Sequence, residues 1–361
     1  MIPNITVIIP NRNRNLKTVS RTLDSIKPQL SEHLKIYVVD YGSELNYQSD
    51  LKHLVMTYGS IELIECPTQG QLFHKTRAIN LVLKQTLSKY FMVLDMDCIC
   101  HPNFFQIALR LAENGDVVNF PYGYLSEKES LKDQKFQDYE VRFPNNITGT
   151  AIFETKKLLE INGFDEVFHN WGAEDADAFA RLKRAGTNTN LYHEKLLLLH
   201  QWHSKTYRQK QSKAPFHNKL EKINHKYFEL SNKLKRIRTN ESLNWGIPFN
   251  LKHYSLLKTP DFKININSSQ EEIVALISQL NEFDSSSIVE VIVTSLSTTL
   301  KVKVKIKSLL GKRQLTYISL EKANELLLEN IILRNRNKPY HYQFDRSQDK
   351  IIFRINLINP T

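Results

Sequence analysis

Three groups of residues in this sequence could do chemistry. The first is Asp95-Met96-Asp97, which follows the apolar run Tyr90-Phe-Met-Val-Leu94. Residues i and i+2 of an extended chain point the same way, so both carboxylates could meet at one point just past a strand end. Open α/β sheets bind their ligands there. Two carboxylates held together repel unless a cation lies between them, and a hard divalent ion carrying a substrate diphosphate suits such a pair. The second group is Asn170-Trp171-Gly172-Ala173-Glu174-Asp175-Ala176-Asp177, where three acids open a helix buried through Phe179 and Leu182. Acids in a first turn complement the helix dipole by a few tenths to about 1 kcal/mol each. Equally, such a turn could present a general base on a fixed helix start, beside the aromatic platform of Trp171. The third is Leu196-Leu-Leu-Leu199-His200-Gln-Trp-His203, a strand ending in two histidines; imidazole joins carboxylates around manganese-type ions. Each has an ordinary reading too: D-x-D occurs in solvated loops, and a histidine is more often structural than ligating.

The elements around these residues are legible in part. Ile5-Thr-Val-Ile-Ile9 reads as a buried strand stopped by Pro10, followed by the polar loop Asn11-Arg-Asn-Arg-Asn15. Leu16, Val19, Leu23 and Ile26 mark a helix. Strands are predicted at Lys35–Asp40, Ile61–Cys66, Tyr90–Leu94, Val117–Phe120 and Asn146–Phe153, and helices at His74–Leu87, Pro102–Leu111 and Glu154–Ile161. Leu125–Arg142 reads as a loop-helix excursion, and Gly186 as the stop of the helix begun at Glu174. Alternating strands and helices predict a parallel, doubly wound α/β sheet, with Asp40 and Asp95/Asp97 along one edge. That edge suits a nucleotide, yet no G-x-G-x-x-G follows the first strand and no G-x-x-x-x-G-K-[ST] occurs. Nicotinamide dehydrogenases and P-loop enzymes are therefore disfavoured.

Taken in order, Thr6-Val-Ile-Ile-Pro10, Val38-Val-Asp40-Tyr-Gly-Ser43, Arg77-Ala-Ile-Asn80, Asp95-Met-Asp97, Asn162-Gly-Phe-Asp-Glu166, Trp171-Gly-Ala-Glu-Asp175 and His200 resemble a GT-A-fold glycosyltransferase of the large inverting family 2. The Trp-Gly-Ala-Glu-Asp stretch is most similar to the galactosyl/N-acetylgalactosaminyl-transferring domains of chondroitin-type polymerases and to β-1,4-galactosyltransferases. The resemblance covers about residues 3–205 and implies a Rossmann-like nucleotide-diphospho-sugar transferase domain. By the same resemblance Pro10, Arg12 and Asp40 cradle the uridine of the donor, and Lys75 and Arg77 contact the nucleotide. Asp95 and Asp97 would hold Mn²⁺ or Mg²⁺ across the diphosphate, Asp97 more directly. His200 matches the late metal ligand, with His203 as its neighbouring alternative. Asp175 matches the catalytic base, and Trp171 and Glu174 the acceptor-contacting positions. Two departures stand out: Gly172-Ala173 replaces the usual Gly-Gly, which would narrow the acceptor cleft, and Asn11 follows Pro10 in place of a small or hydroxyl residue. The implied activity is metal-dependent, inverting transfer of a hexose or N-acetylhexosamine from a UDP-sugar to a glycan or lipid-linked glycan, in polysaccharide or surface-glycan synthesis. Two other classes stay open: a nucleotidyltransferase or phosphohydrolase acting on nucleotide sugars, and a non-catalytic basic protein that binds glycan or membrane.

Composition frames these readings. In 361 residues, 41% are apolar and 24% charged, as in globular proteins, and the net charge is +11. Lys205–Arg238 carries eleven Lys/Arg against Glu221 and Glu229, with Tyr207, Phe216, Tyr227 and Phe228 interleaved. Such a stretch could meet an anionic membrane, an acidic glycan or nucleic acid, or be a solvated helix face; with the family resemblance, membrane contact is expected and nucleic acid is not. Three cysteines without C-x-x-C and a start, Met1-Ile-Pro-Asn4, without leader features predict a cytoplasmic protein, peripheral at the inner face of the membrane. Residues 1–245 are expected to form the transferase domain, with 205–245 its basic helical extension. Trp245-Gly246-Ile-Pro248 marks the boundary to a smaller α+β domain, 246–361. There Gln270–Leu280 and Leu320–Leu328 read as helices, Ile288–Val293, Lys301–Ile306 and Lys350–Leu357 as strands, and Ser285-Ser-Ser287 as a break. No catalytic constellation is recognisable in that part.

Overall fold

The computed structural model describes residues 3–141, 149–204, 215–282, 287–297, 306–307, 309–310 and 314–358. The chain divides into two compact units. The first takes Met1–Cys66, Phe73–Lys205 and Lys219–Pro248; the second takes Pro67–Leu72, Thr206–Asn218 and Phe249–Thr361.

The first unit opens β1 (Ile5–Asn11), α1 (Leu16–Ile26), β2 (Leu34–Tyr41), α2 (Leu45–Met56), β3 (Ile61–Cys66), α3 (Lys75–Leu83), β4 (Tyr90–Val93) and β5 (Cys98–Cys100). It continues α4 (Phe104–Ala112), β6 (Val117–Asn119), β7 (Tyr122–Tyr124), α5 (Glu127–Ser130), β8 (Ala151–Glu154), α6 (Thr155–Glu160), α7 (Glu174–Arg184), β9 (Thr189–Leu191), β10 (Leu198–His200) and α8 (Leu220–Lys233). Among the described residues the main sheet has the order β3-β2-β1-β4-β8-β6-β9. β1 lies inside it with every residue buried, parallel to both β2 and β4. That explains its unbroken apolar run, since a strand covered on both faces has no wet side. Pro10 does not stop it: pairing with β2 continues through Asn11↔Asp40. β4 has left β1 after Ile8↔Val93, so by Pro10 the strand has a neighbour on one side only, where a missing N–H is tolerable.

The alternation predicted a parallel sheet, but the sheet is mixed. β8 runs antiparallel to both β4 and β6, because it returns through Thr150 directly beside the end of β4. A second sheet, β5-β10-β7, stands at the same edge, with β10 antiparallel to β5 and parallel to β7. Two predicted helices are shorter than expected, since α3 ends at Leu83 and α6 at Glu160. Of the predicted strand Asn146–Phe153, residues 146–148 lie outside the described residues, as do Arg142, 205–214 of the basic stretch, and 285–286 of the serine break.

The second unit contains α9 (Leu251–Ser255), β11 (Phe262–Asn267), α10 (Gln270–Glu282), β12 (Ile288–Thr294), α11 (Leu320–Asn330), β13 (Tyr340–Asp345) and β14 (Lys350–Asn356). Its sheet order is β11-β12-β14-β13, with Val291, Val293, Ile351, Phe353 and Ile355 buried. Gln71 Nε2 donates to Tyr340 O at 2.7 Å, and Tyr342 N to Gly70 O at 2.9 Å, which ties residues 67–72 to this unit. The expected strand Lys301–Ile306 lies outside the described residues except for Ile306, which is helical. Sequence reading missed β11, which is exposed and asparagine-rich, and β13, whose aromatics alternate with polar residues.

The acids at the start of α7 do not share one fate. Asp177 and Arg181 form an ion pair at 2.6 Å with neither side chain exposed, and Arg181 also donates to Ile161 O at 3.1 Å. Removing one partner of a fully buried pair strands the other charge, at a cost of about 3–5 kcal/mol. Arg181→Met should therefore lower unfolding stability by that amount in urea titration. A loss below 1 kcal/mol would show that the pair does not hold the helix in place.

Candidate active site

The site forms where both sheets end. Leu94 N donates to Ile8 O at 3.0 Å, and the chain then turns through Asp95-Met96-Asp97 into β5. Helix α1 pins this turn, with Thr22 Oγ1 donating to Met96 O at 2.8 Å. The antiparallel pairing sets His200 opposite Cys98, and Gln201 N donates to Asp97 O at 2.8 Å. That register brings two distant segments together. His200 Nε2 lies 3.3 Å from Asp97 Oδ1, and His203 Nε2 lies 3.3 Å from Asp97 Oδ2. Asp97, His200 and His203 offer ligand atoms all within 4.8 Å of one another.

This cluster fits a divalent ion. Asp97 Oδ1 is buried without a hydrogen-bond partner among the described residues. Neighbouring ligands on an octahedral ion, each at about 2.1 Å, stand about 3 Å apart; each histidine stands 3.3 Å from a different Asp97 oxygen. His203 Nδ1 faces Ser204 O at 3.0 Å, which favours the tautomer with its proton there and its lone pair on Nε2. Burial and the nearby Arg14 charge hold the His203 imidazole below its usual range, hence neutral.

Asp95, two residues earlier, is built into a different set. Its Oδ1 pairs with Lys75 Nζ at 3.0 Å, and Lys75 also reaches Glu174 Oε1 at 3.3 Å. Tyr122 donates to Asp95 Oδ2 at 2.8 Å. Burial alone would raise the pKa of Asp95, but Lys75 and Tyr122 outweigh it and pull the carboxyl below its usual range. Burial likewise opposes charge on Lys75, and Asp95 and Glu174 more than restore it. The structure thus does not aim the D-x-D pair at one point: Asp97 meets the histidines and Asp95 meets Lys75.

Asp175 completes the pocket. A Cβ placed on Gly149 would stand 3.1 Å from Lys75 Nζ, 3.4 Å from Asp95 Oδ2 and 3.8 Å from Asp175 Oδ2. Gly149 therefore lies against all three groups and leaves the space between them open. Burial, then the adjacent Glu174 charge, pushes the Asp175 carboxyl from 3.8 up to about 6. Glu174 Oε2 accepts from Gly172 N at 3.1 Å, closing the turn below exposed Trp171. Ala173 has φ +65°, the left-handed backbone that glycine adopts without strain. The structural effect of Ala173 in place of the usual second glycine is thus strain of about 1–2 kcal/mol at the helix start.

The expected nucleotide side is more deeply buried. Asp40 is fully enclosed and accepts from Asn11 Nδ2 and Gln48 Nε2, each at 2.9 Å, and from Ser43. It shapes the pocket through Asn11 and Ser43. Pro10 is buried in β1, and Arg12 is half-buried just beyond it. Arg77 is buried and reaches Ile247 O at 3.5 Å, within the scaffold. Cys98 and Cys100 are buried free thiols, as expected of packing residues. Sequence reading missed Arg14, whose Nη2 lies 3.0 Å from Asp97 Oδ2, and also Tyr122 and Gly149. Arg14 had a signal in its position in a polar loop after the first strand. Tyr122 and Gly149 had none, because β7 is a three-residue strand and Gly149 lies in the bend before β8.

With the geometry in place, comparison with known families becomes informative. Residues 6–176 match the family model Glycosyl transferase family 2, just under half of the chain. The match supports a glycosyltransferase of nucleotide-sugar donors, and the fold is the GT-A, Rossmann-like one. No curated protein matches the chain.

The raised Asp175 carboxyl makes a stability prediction. An acid whose folded pKa exceeds its unfolded one favours the fold when protonated; that contribution is lost as pH rises from about 4 through about 6. Asp175→Asn, which imitates the protonated form, should raise the melting temperature by a few degrees at pH 7.5. The gain should shrink as pH falls below 6 and vanish near 4. An unchanged or lowered melting point at pH 7.5 would contradict the burial argument.

Proposed function

We propose that the chain is a metal-dependent inverting glycosyltransferase that moves a hexose or N-acetylhexosamine from a UDP-sugar to a hydroxyl of a glycan or lipid-linked glycan. The reading places it in polysaccharide or surface-glycan assembly. The observation that carries it is the division of the acids. Asp97 lies with two histidines, Asp95 is neutralised by Lys75, and Asp175 stands beside them as a carboxyl raised to about 6.

On this reading Asp97, His200 and His203 would hold Mn²⁺ or Mg²⁺. The ion, when bound, supplies positive charge against the departing diphosphate. Arg14 and Lys75 are cations beside the two aspartates and would bind phosphate oxygens. Pro10, Arg12 and the loop ordered by Asp40 would receive the uridine, with Arg77 anchoring α3 through Ile247 O. Trp171 and Glu174 would hold the acceptor. Asp175 takes the proton from the acceptor hydroxyl, because a carboxyl near 6 is mostly ionised at neutral pH yet more basic than a solvated one. The hydroxyl oxygen bonds to the anomeric carbon as the bond to the diphosphate breaks on the opposite face. Configuration inverts, and no enzyme nucleophile is needed.

Release of UDP from a panel of UDP-sugars with Mn²⁺ tests the reading. Slow hydrolysis of one donor should disappear with EDTA and in Asp97→Ala, which should also lose Mn²⁺ binding by titration calorimetry. Once an acceptor is found, Asp175→Asn should lower its stimulated rate by roughly 10² to 10⁴. For the native chain kcat/KM should rise with pH through about 6 and then level. If no UDP-sugar is bound or turned over with any divalent ion, the proposal fails.

A further inference from the structure

We propose that helix α8 and the turn after it form a docking face for an anionic lipid surface. Leu220, Asn224 and Ser231 of α8 turn inward and are buried. At about 100° per residue, Ile223, Leu230 and Leu234 then fall in one stripe beside the buried face, with Lys222, Lys226 and Lys233 in a second stripe next to it. The apolar stripe is open to solvent: Ile223 is 39%, Leu230 57% and Leu234 77% exposed, and Ile237 beyond the helix is 40% exposed. The three lysines are exposed as well. From Lys219 to Arg238 there are seven Lys/Arg and two acids, Glu221 and Glu229. Arg236 is engaged with Asp165 inside the unit, and Lys226 and Glu229 pair at 2.8 Å and cancel, which leaves exposed Lys222, Lys233, Lys235 and Arg238 to make the outer face basic.

A bilayer interface accommodates this combination. Leucine and isoleucine enter the acyl boundary, lysine stems lie along it, and ammonium groups reach headgroup phosphates. Single-stranded nucleic acid would instead need free rings on which bases stack. Here Tyr227 and Phe228 are half-buried, and Tyr227 is bonded to Asp165 and Arg236. The contact proposed is one of a helix lying on the surface; among the described residues no helix is long and apolar enough to cross a membrane. The same helix braces the candidate site, with Asn224 Nδ2 donating to His169 O at 3.0 Å and to Trp171 O at 3.2 Å. A lipid-linked acceptor would thus reach the Trp171 turn from the surface that carries it. That consequence rests on the proposed transfer reaction; the docking itself does not.

Co-sedimentation of the full chain with vesicles tests the docking without any donor present. The chain should be captured by phosphatidylcholine vesicles containing phosphatidylglycerol far better than by phosphatidylcholine alone, and less as salt rises. Changing Lys222, Lys226 and Lys233 together to Gln should weaken capture roughly a hundredfold. Leu230→Ser with Leu234→Ser should weaken it about tenfold while keeping the salt dependence. Equal capture by both vesicle types, no capture by either, or unchanged capture of either variant overturns the proposal. So does tighter binding of a single-stranded oligonucleotide than of the anionic vesicles.

Discussion

The arrangement depends on one largely enclosed cation. Lys75 sits between Asp95 and Glu174, with Asp175 close by. Three carboxylates gathered in a partly dry pocket would repel one another and lose hydration. One ammonium placed among them offsets both costs for two of the three and compensates the third only in part. Asp95 is driven to its ionised form by the lysine, while Asp175, farther from it and next to Glu174, is driven the other way. Two acids of one residue type thus acquire opposite tendencies from geometry alone, the pattern by which a site separates a charge-holding group from a proton-accepting one.

Backbone pairing explains why Asp97 escapes this cluster. Once β5 pairs antiparallel with β10, His200 is opposite Cys98 and Asp97 lies beside Gln201. The Asp97 side chain then faces the histidines and Arg14, away from Lys75. Tyr122, in the third strand of that small sheet's neighbourhood, closes the other side by hydrogen bonding to both Asp95 and Thr150. The small sheet thus divides the two aspartates, and a one-residue slip of β10 would turn His200 away from Asp97.

What the sequence made legible follows the strength of local signals. β1, β2 and β4 are continuous apolar runs, and α7 is bounded by acids and Gly186, so these elements could be read directly. The acids and histidines could be picked out by type and spacing, but not their partners. Asp95 and Asp97 share a face only on an extended chain, and here they lie in a turn after β4. The antiparallel return of β8, the partners of β10 and the three-residue strands β5 and β7 leave no periodic trace long enough to detect. Those are the elements that sort the site residues, so the list of residues was more legible than their division into groups.

The first turn of α7 joins stability to chemistry. Asp177 faces inward, and its charge is answered by Arg181 with no exposure on either side. Asp175, half a turn earlier, has no such answer, and Ala173 before it holds a left-handed backbone. A helix start carrying an unmatched carboxyl and a strained residue is poorly stabilised by itself. It persists because its surroundings fix it: Arg181 also bonds Ile161 O, Glu174 holds Gly172 N, and α8 holds the Trp171 carbonyl. The buried Asp177–Arg181 pair fixes the helix in the scaffold, and that fixed helix is what keeps Asp175 in its unfavourable place.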